Sequence, residues 1–387
     1  MSGSSTLAAF GAGEPVRLRR AAERLLAHPF LAWFYGDSIG FEGLLAASEL
    51  SGDARYADFV HGFLRGWAAR DRPYRPDDNT APGHVLCTVA ERSGDAQLID
   101  AAVRLGEHLV ARRRIEGVSV TFEDASRSLR EPYGPVPPGE EDRALVAAPG
   151  AGIYVDCLHF DPPFLAHLAR LSGEPAWAAR GIEEALGYGR LLADPSTGLY
   201  RHFWLERTGL AYGPGWGRGQ GWALLGLLDV FELTDGGLAG RPEVAAAAAA
   251  LAEAMLRCQR PDGSWAAVVD RDDSGDETST AAFMVVAFLR GIELGVLDAA
   301  RFGPGAERAW DATWRALDED GLLTGVSAAV YSSTVPEHYV PVPRCFDVPW
   351  GQGPLLVAAA AHARAISRVS APRRGRGRRR APAASPS

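Results

Sequence analysis

In the stretch Gly213-Pro-Gly-Trp-Gly-Arg-Gly-Gln-Gly-Trp222, glycine alternates with Trp216, Arg218, Gln220 and Trp222. An indole can cover the face of a sugar, and a guanidinium can hold a carboxylate through two parallel hydrogen bonds. Small backbones between such residues let a ligand approach closely. The stretch runs directly into Ala223-Leu-Leu-Gly-Leu-Leu228, an apolar run that reads as a buried helix. The group therefore stands at a helix N-terminus, where unpaired N–H groups and the helix dipole favour an anion. These residue types suit an acidic sugar. The plainer reading is a glycine-rich loop with core tryptophans.

Five more stretches have the same character. They are Trp33-Phe-Tyr-Gly-Asp37, Asp77-Asp-Asn-Thr-Ala-Pro-Gly83, Ile153-Tyr-Val-Asp156, Asp276-Glu-Thr-Ser279 and Asp347-Val-Pro-Trp-Gly-Gln352. Each places acids, aromatics or small residues just before a predicted helix. N-capping accounts for single Asp, Ser and Thr residues there, but not for the tryptophans. Tyr35, Asp37 and Trp350 thus join the candidate site residues.

The elements that must hold these groups are helical. Glu49-Leu-Ser-Gly-Asp-Ala-Arg-Tyr56, Glu91-Arg-Ser-Gly-Asp-Ala-Gln-Leu98 and Arg170-Leu-Ser-Gly-Glu-Pro-Ala-Trp177 repeat one signal, a glycine C-cap followed by an acid that opens the next helix. Such spacing means stacked helical hairpins. Patterning predicts helices near 15–28, 38–50, 55–69, 81–92, 97–112, 155–171, 176–190, 219–233, 242–258, 278–294, 299–315 and 350–367. Every second one contains a charge-free run, and the others carry Arg and Glu. That contrast is what a closed double ring requires, with six parallel inner helices whose N-termini gather at one end. The expected fold is all-α, an (α/α)6 barrel over 15–370, with a flexible start (1–14). The proline-rich stretch 116–152 is expected to be an irregular lid, and 371–387 a disordered arginine-rich tail.

Composition narrows the function classes. The 387 residues are 47% hydrophobic, enough for a large core, and no apolar run is long enough for a membrane span. The net charge is −8, and removing the tail's six arginines leaves the body near −14, which argues against nucleic acid as the substrate of the folded domain. The small, polar start predicts no secretory signal. Cys87, Cys157, Cys258 and Cys345 lack metal or redox spacing and read as reduced core thiols of a cytoplasmic protein.

The chain resembles the unsaturated glucuronyl and rhamnogalacturonyl hydrolases, glycoside hydrolase families 88 and 105. The resemblance rests on Tyr154-Val-Asp-Cys-Leu-His-Phe-Asp-Pro-Pro-Phe-Leu-Ala166, which looks like the family's Trp-x-Asp-x-Leu-Tyr-Met-x-x-Pro-Phe-x-Ala. Further matches are Thr197-Gly-Leu-Tyr-Arg-His202, Trp216-Gly-Arg-Gly-Gln-Gly-Trp222, Pro261-Asp-Gly-Ser-Trp265, Glu277-Thr-Ser279 and Gly325-Val-Ser327, and together they span roughly 28–365. The resemblance implies hydration of a C4=C5 unsaturated uronic acid, followed by loss of the neighbouring sugar. It implies Asp156 as general acid/base, Asp78 as a second essential carboxylate, and sugar contacts from His202, Trp216, Arg218 and Trp222. Asp77 competes with Asp78. Departures are Gln220 for the usual Asn, His159-Phe160 for Tyr-Met, Leu145 and Val146 for a His-Lys pair, and the region 347–352.

A proton donor to carbon must be protonated near neutral pH, so burial or a second carboxylate should raise its pKa. His159, one turn beyond Asp156, is expected to be able to contact it. The implied partner is an oligosaccharide ending in an unsaturated uronic acid, acted on by a monomer or homodimer. No metal or organic cofactor is implied, and no membrane or nucleic acid. Two alternatives stay open: an ordinary glycosidase or sugar epimerase on the same barrel, and a carbohydrate-binding protein. An epimerase would need paired histidine bases, for which His202, His84 and His159 are the candidates.

Overall fold

Charge-free helices alternate with charged ones along the chain, and that alternation builds the barrel. The structure, a computed structural model, describes residues 14–31, 34–69, 74, 82–129 and 133–370. Among these residues lie thirteen α-helices. The first six are α1 (Glu14–Leu26), α2 (Tyr35–Ser51), α3 (Arg55–Ala68), α4 (Gly83–Ser93), α5 (Ala96–Ala111) and α6 (Glu140–Ala147). They are followed by α7 (Cys157–Ser172), α8 (Pro175–Leu192), α9 (Gly217–Leu233), α10 (Arg241–Arg257), α11 (Thr278–Glu293), α12 (Ala299–Ala316) and α13 (Pro349–Ser370). Twelve match the predicted helices to within a few residues, and α6 is additional.

Helices α2, α4, α7, α9, α11 and α13 close a ring, each packing on the next and α13 returning to α2. The remaining long helices pack outside it. This is the expected (α/α)6 barrel of six helical hairpins. The reason is visible residue by residue. On α9 every residue from Gly217 to Val230 is buried, whereas α3 buries only Tyr56, Val60, Leu64 and Trp67, one stripe at helical spacing. The repeated Ser-Gly-acid signal marks the ends of inner helices. Gly52, Gly94 and Gly173 close α2, α4 and α7 with φ of 72°, 66° and 76°, a left-handed turn that suits glycine.

Inner helices approach one another at backbone distance. A Cβ on Gly226 of α9 would stand 2.0 Å from the Leu158 carbonyl oxygen of α7, and one on Gly353 of α13 would stand 2.3 Å from that of Ile39 in α2.

The stretch 116–152, expected as an irregular lid, has structure of its own. It contributes to a hairpin of β1 (Arg114–Ile115) and β2 (Val118–Ser119), then a 3-10 turn at Ala125–Arg127 and α6. It is tied to the loop that precedes α13. Thr334 Oγ1 donates to Asp142 Oδ1 at 2.5 Å, His338 Nε2 lies 2.6 Å from the Val136 carbonyl, and Tyr133 Oη donates to the Ala329 carbonyl at 3.0 Å. A small antiparallel sheet of β3 (Gly152–Tyr154), β4 (Phe203–Leu205) and β5 (Leu210–Tyr212), in that order, leads straight into α7.

Cys87 and Cys157 are buried and Cys258 half-buried, but Cys345 is exposed and not a core thiol. It occupies a left-handed turn (φ 74°) in the irregular loop before α13, where no helix covers it. No described helix is long and apolar enough to cross a membrane. The segments 1–13 and 371–387, including the arginine-rich tail, lie outside the described residues.

The close helix contact makes a direct prediction. Gly226→Ala should destabilise the protein by about 1–3 kcal/mol, the usual effect of an added methyl in a packed core. Gly236→Ala, with no neighbour within 4 Å, should change the unfolding midpoint little in the same urea titration.

Candidate active site

The N-termini of the inner helices meet at one end of the barrel, and Arg218 joins three of them. Its side chain is fully buried one residue into α9. Nη1 donates to Ser327 Oγ at 2.7 Å and to Glu277 Oε1 at 3.3 Å, with Ser279 Oγ at 3.5 Å. Nη2 donates to the Ala328 carbonyl at 2.9 Å. The guanidinium also lies 4.9 Å from the Trp216 ring and 5.7 Å from that of Trp350. Glu277 is itself the N-cap of α11: Oε2 accepts the Thr280 N–H at 2.9 Å, and Oε1 accepts the Ser327 N–H at 3.1 Å. The Glu277-Thr-Ser279 signature is thus structural. Arg218, expected to meet a substrate carboxylate, already holds a protein one.

Three more expected sugar contacts are internal. Gln220 is buried and clamps the backbone of Tyr200, accepting its N–H and donating to its carbonyl, each at 2.8 Å. Trp222 is fully buried and packs its ring on Phe283 at 4.7 Å and Phe160 at 5.5 Å. Asp37 is fully buried, and its Oδ2 accepts the Leu31 N–H at 2.6 Å. Burial raises its pKa to about 7 against that hydrogen bond. The glycines of the motif admit protein rings and side chains instead of a ligand: added Cβ atoms on Gly217, Gly219 and Gly221 would strike Thr280, Trp216 and Phe283.

Asp156 behaves differently. It stands between β3 and α7, as the residue immediately before the helix, and its side chain keeps 16% of its exposure. His202 Nε2 lies 3.6 Å from its Oδ2. The sheet sets this pair, because the Val155 N–H donates to the His202 carbonyl at 2.9 Å. On the far side of the ring, His202 Nδ1 lies 2.7 Å from Tyr339 Oη. Burial holds the Tyr339 phenol well above its ordinary value, and the Ser333 N–H donates to its oxygen at 3.4 Å. A phenol that donates to Nδ1 would leave Nε2–H facing Asp156. An N–H so placed would stabilise a charged Asp156 carboxyl.

Around this pair stand Trp216, 4.7 Å from the His202 ring, and Tyr35, half-buried and 5.2 Å from Trp350. Burial raises the Tyr35 hydroxyl; Arg218 works against this, and the charge of Asp156 adds to it. Trp350 donates its indole N–H to the Ser327 carbonyl at 3.0 Å and is nearly buried.

His159 does not turn towards Asp156. Its Nε2 lies 3.1 Å from Glu42 Oε1 and its Nδ1 3.7 Å from Asp229 Oδ2, inside the ring between α2 and α9. Burial opposes its charged form, but Glu42 and Asp229 outweigh burial and raise its pKa. His84 lies against His167, with Nδ1 atoms 3.3 Å apart, and burial lowers its pKa to about 4. Neither is paired with His202 as an epimerase would need. Asp78 and Asp77 lie outside the described residues, as does Trp33. Sequence reasoning missed Tyr339 and Glu42, which no motif or spacing signals.

A helical double ring with an acid, an oriented histidine and aromatics at one end defines an (α/α)6-barrel glycoside hydrolase. The family described as Glycosyl Hydrolase Family 88 matches residues 18–366, and the chain belongs to it. The chain is similar to the unsaturated rhamnogalacturonyl hydrolase YesR of Bacillus subtilis (strain 168), with 23% identity over 85% of this chain and 89% of that protein. Two solved structures share the fold. One, a possible member of family GH105 from Klebsiella pneumoniae, has a TM-score of 0.77 at 18% identity, covering 92% of this chain and 94% of its own. The other, the unsaturated glucuronyl hydrolase of Bacillus sp. GL1, has a TM-score of 0.65 at 18% identity, covering 92% and 97%.

Two predictions follow from the buried charges. Glu277→Ala leaves the Arg218 guanidinium unpaired in the interior and should cost about 3–5 kcal/mol, read from chemical denaturation. Asp37 favours the folded state while its carboxyl is neutral. That stability is complete below its unfolded pKa near 3.8 and is lost as pH rises through about 7. Relative to Asp37→Asn, the wild type should therefore lose stability steadily between pH 4 and 8, measured by urea midpoints across the series.

Proposed function

We propose that the enzyme hydrates the C4=C5 double bond of an unsaturated uronic acid at the end of an oligosaccharide, with Asp156 as general acid and then general base. The single observation that carries this reading is the Asp156–His202–Tyr339 row, a partly open carboxyl with an imidazole nitrogen 3.6 Å away whose other nitrogen meets a buried phenol. The similarity to a protein named for unsaturated rhamnogalacturonyl hydrolysis supports the substrate class.

The steps balance. Asp156 gives its proton to C4, and the ring oxygen lends electron density to the cation that forms at C5. Water adds at C5 and returns a proton to Asp156. The resulting hemiketal opens to a ketone at C5, and the exposed hemiacetal at C1 then releases the neighbouring sugar. His202 Nε2–H stabilises Asp156 while it is charged, between the two transfers. In this reading Asp78 is the second essential carboxylate, as the resemblance implies. In the same reading the protein acts in the cytoplasm.

The test follows the vinyl-ether absorbance of lyase-generated disaccharides. Asp156→Asn should lower the rate by about 100-fold to 10,000-fold, the usual contribution of a positioned acid/base, with an unchanged melting curve. Full activity in that variant would sink the assignment. Turnover of saturated nitrophenyl glycosides at a comparable rate would favour an ordinary glycosidase.

A further inference from the structure

Tyr133 and Tyr331 stack on each other, with ring centroids 5.1 Å apart and planes within 12°. The reaction above gives them no role. Tyr331 is 47% exposed, unusual for a large aromatic ring, and Tyr133 is half-buried.

Their position is fixed by the site itself. The loop bearing Tyr331 is pinned on both sides of it. Upstream, Ser327 and Ala328 bind Arg218, and the Ala329 carbonyl accepts the Tyr133 hydroxyl at 3.0 Å. Downstream, the Ser333 N–H donates to Tyr339, which touches His202 beside Asp156. The pair is therefore held on the loop that links the Arg218 cluster to Tyr339 and His202.

The surroundings are acidic. Helix α6, tied to this loop through Asp142 and Thr334, opens with Glu140, Glu141 and Asp142 against one cation, Arg143, which turns to the Pro138 carbonyl; Glu337, further along the loop, lies 4.0 Å from Arg271. Arg218, which meets the loop at its start, is buried on Glu277.

We propose that Tyr133 and Tyr331 form the platform on which the leaving sugar stacks, and that this sugar is uncharged. Pyranose C–H faces pack on aromatic rings, and a sulfate or carboxylate there would meet like charge. The inference rests on the reading of the reaction given above and adds the class of its leaving group.

The experiment compares kcat/KM of wild type, Tyr331→Ala and Tyr331→Phe on two substrates. One is an unsaturated uronyl disaccharide with a neutral leaving sugar. The other is the methyl glycoside of the same unsaturated uronate, which offers no ring to stack. Tyr331→Ala should lose about fivefold to tenfold more on the disaccharide than on the methyl glycoside, mainly through KM. Tyr331→Phe, which keeps the ring, should recover most of that gap. A disaccharide sulfated on its leaving sugar should be the poorer substrate of wild type. Equal losses on both substrates, or faster turnover of the sulfated one, would overturn the proposal and leave the reaction standing. Wild type inactive on every unsaturated glycoside would overturn the reaction, and the platform with it.

Discussion

The buried ion pair of Arg218 and Glu277 is the constraint on which the site depends. Both side chains are fully removed from water, so each needs the other and more. The remaining bonds come from Ser279, Ser327 and the Ala328 carbonyl. Through them the start of α9 is locked to the start of α11 and to the loop that leads into α13. Two indoles, Trp216 and Trp350, cover the guanidinium. A charge held this way demands one arrangement of three chain segments, because any other leaves it unpaired in a medium that cannot solvate it.

That arrangement reaches Asp156 at second hand. The loop held at Ser327 and Ala328 goes on to Ser333 and Tyr339, and the Tyr339 hydroxyl holds the His202 ring at Nδ1. The sheet of β3 and β4 meanwhile holds Val155 and His202 together, so the ring and the Asp156 carboxyl are presented from adjacent strands. Asp156 is left as the partly open acid among buried ones such as Asp37 and Glu277. Most of the polar residues around Asp156 and His202 bond to protein groups and serve to position the segments that carry them.

The same division explains what could be read from the residues. Glycine caps after Ser, charge-free runs and charged outer helices led to twelve helices and a closed ring, because burial on all sides and burial on one stripe leave different patterns in a sequence. Asp156 and His202 were legible through their place in family motifs. The roles of Arg218, Gln220 and Trp222 were not. A buried arginine and a ligand-binding arginine are the same letter, and only its distance to Glu277 tells them apart.

The sequence alone determined the double ring of helices, the end of the barrel where the inner N-termini gather, and the acid that stands there, since each is a matter of local pattern. Tertiary structure decided which of the clustered polar groups face inward to one another and which stay open. It turned His159 to Glu42 and Asp229, gave Gln220 to the Tyr200 backbone, and brought Tyr339 to His202 across a gap of 137 residues. Those pairings depend on how segments far apart in the chain meet, and no local spacing encodes the distance between them.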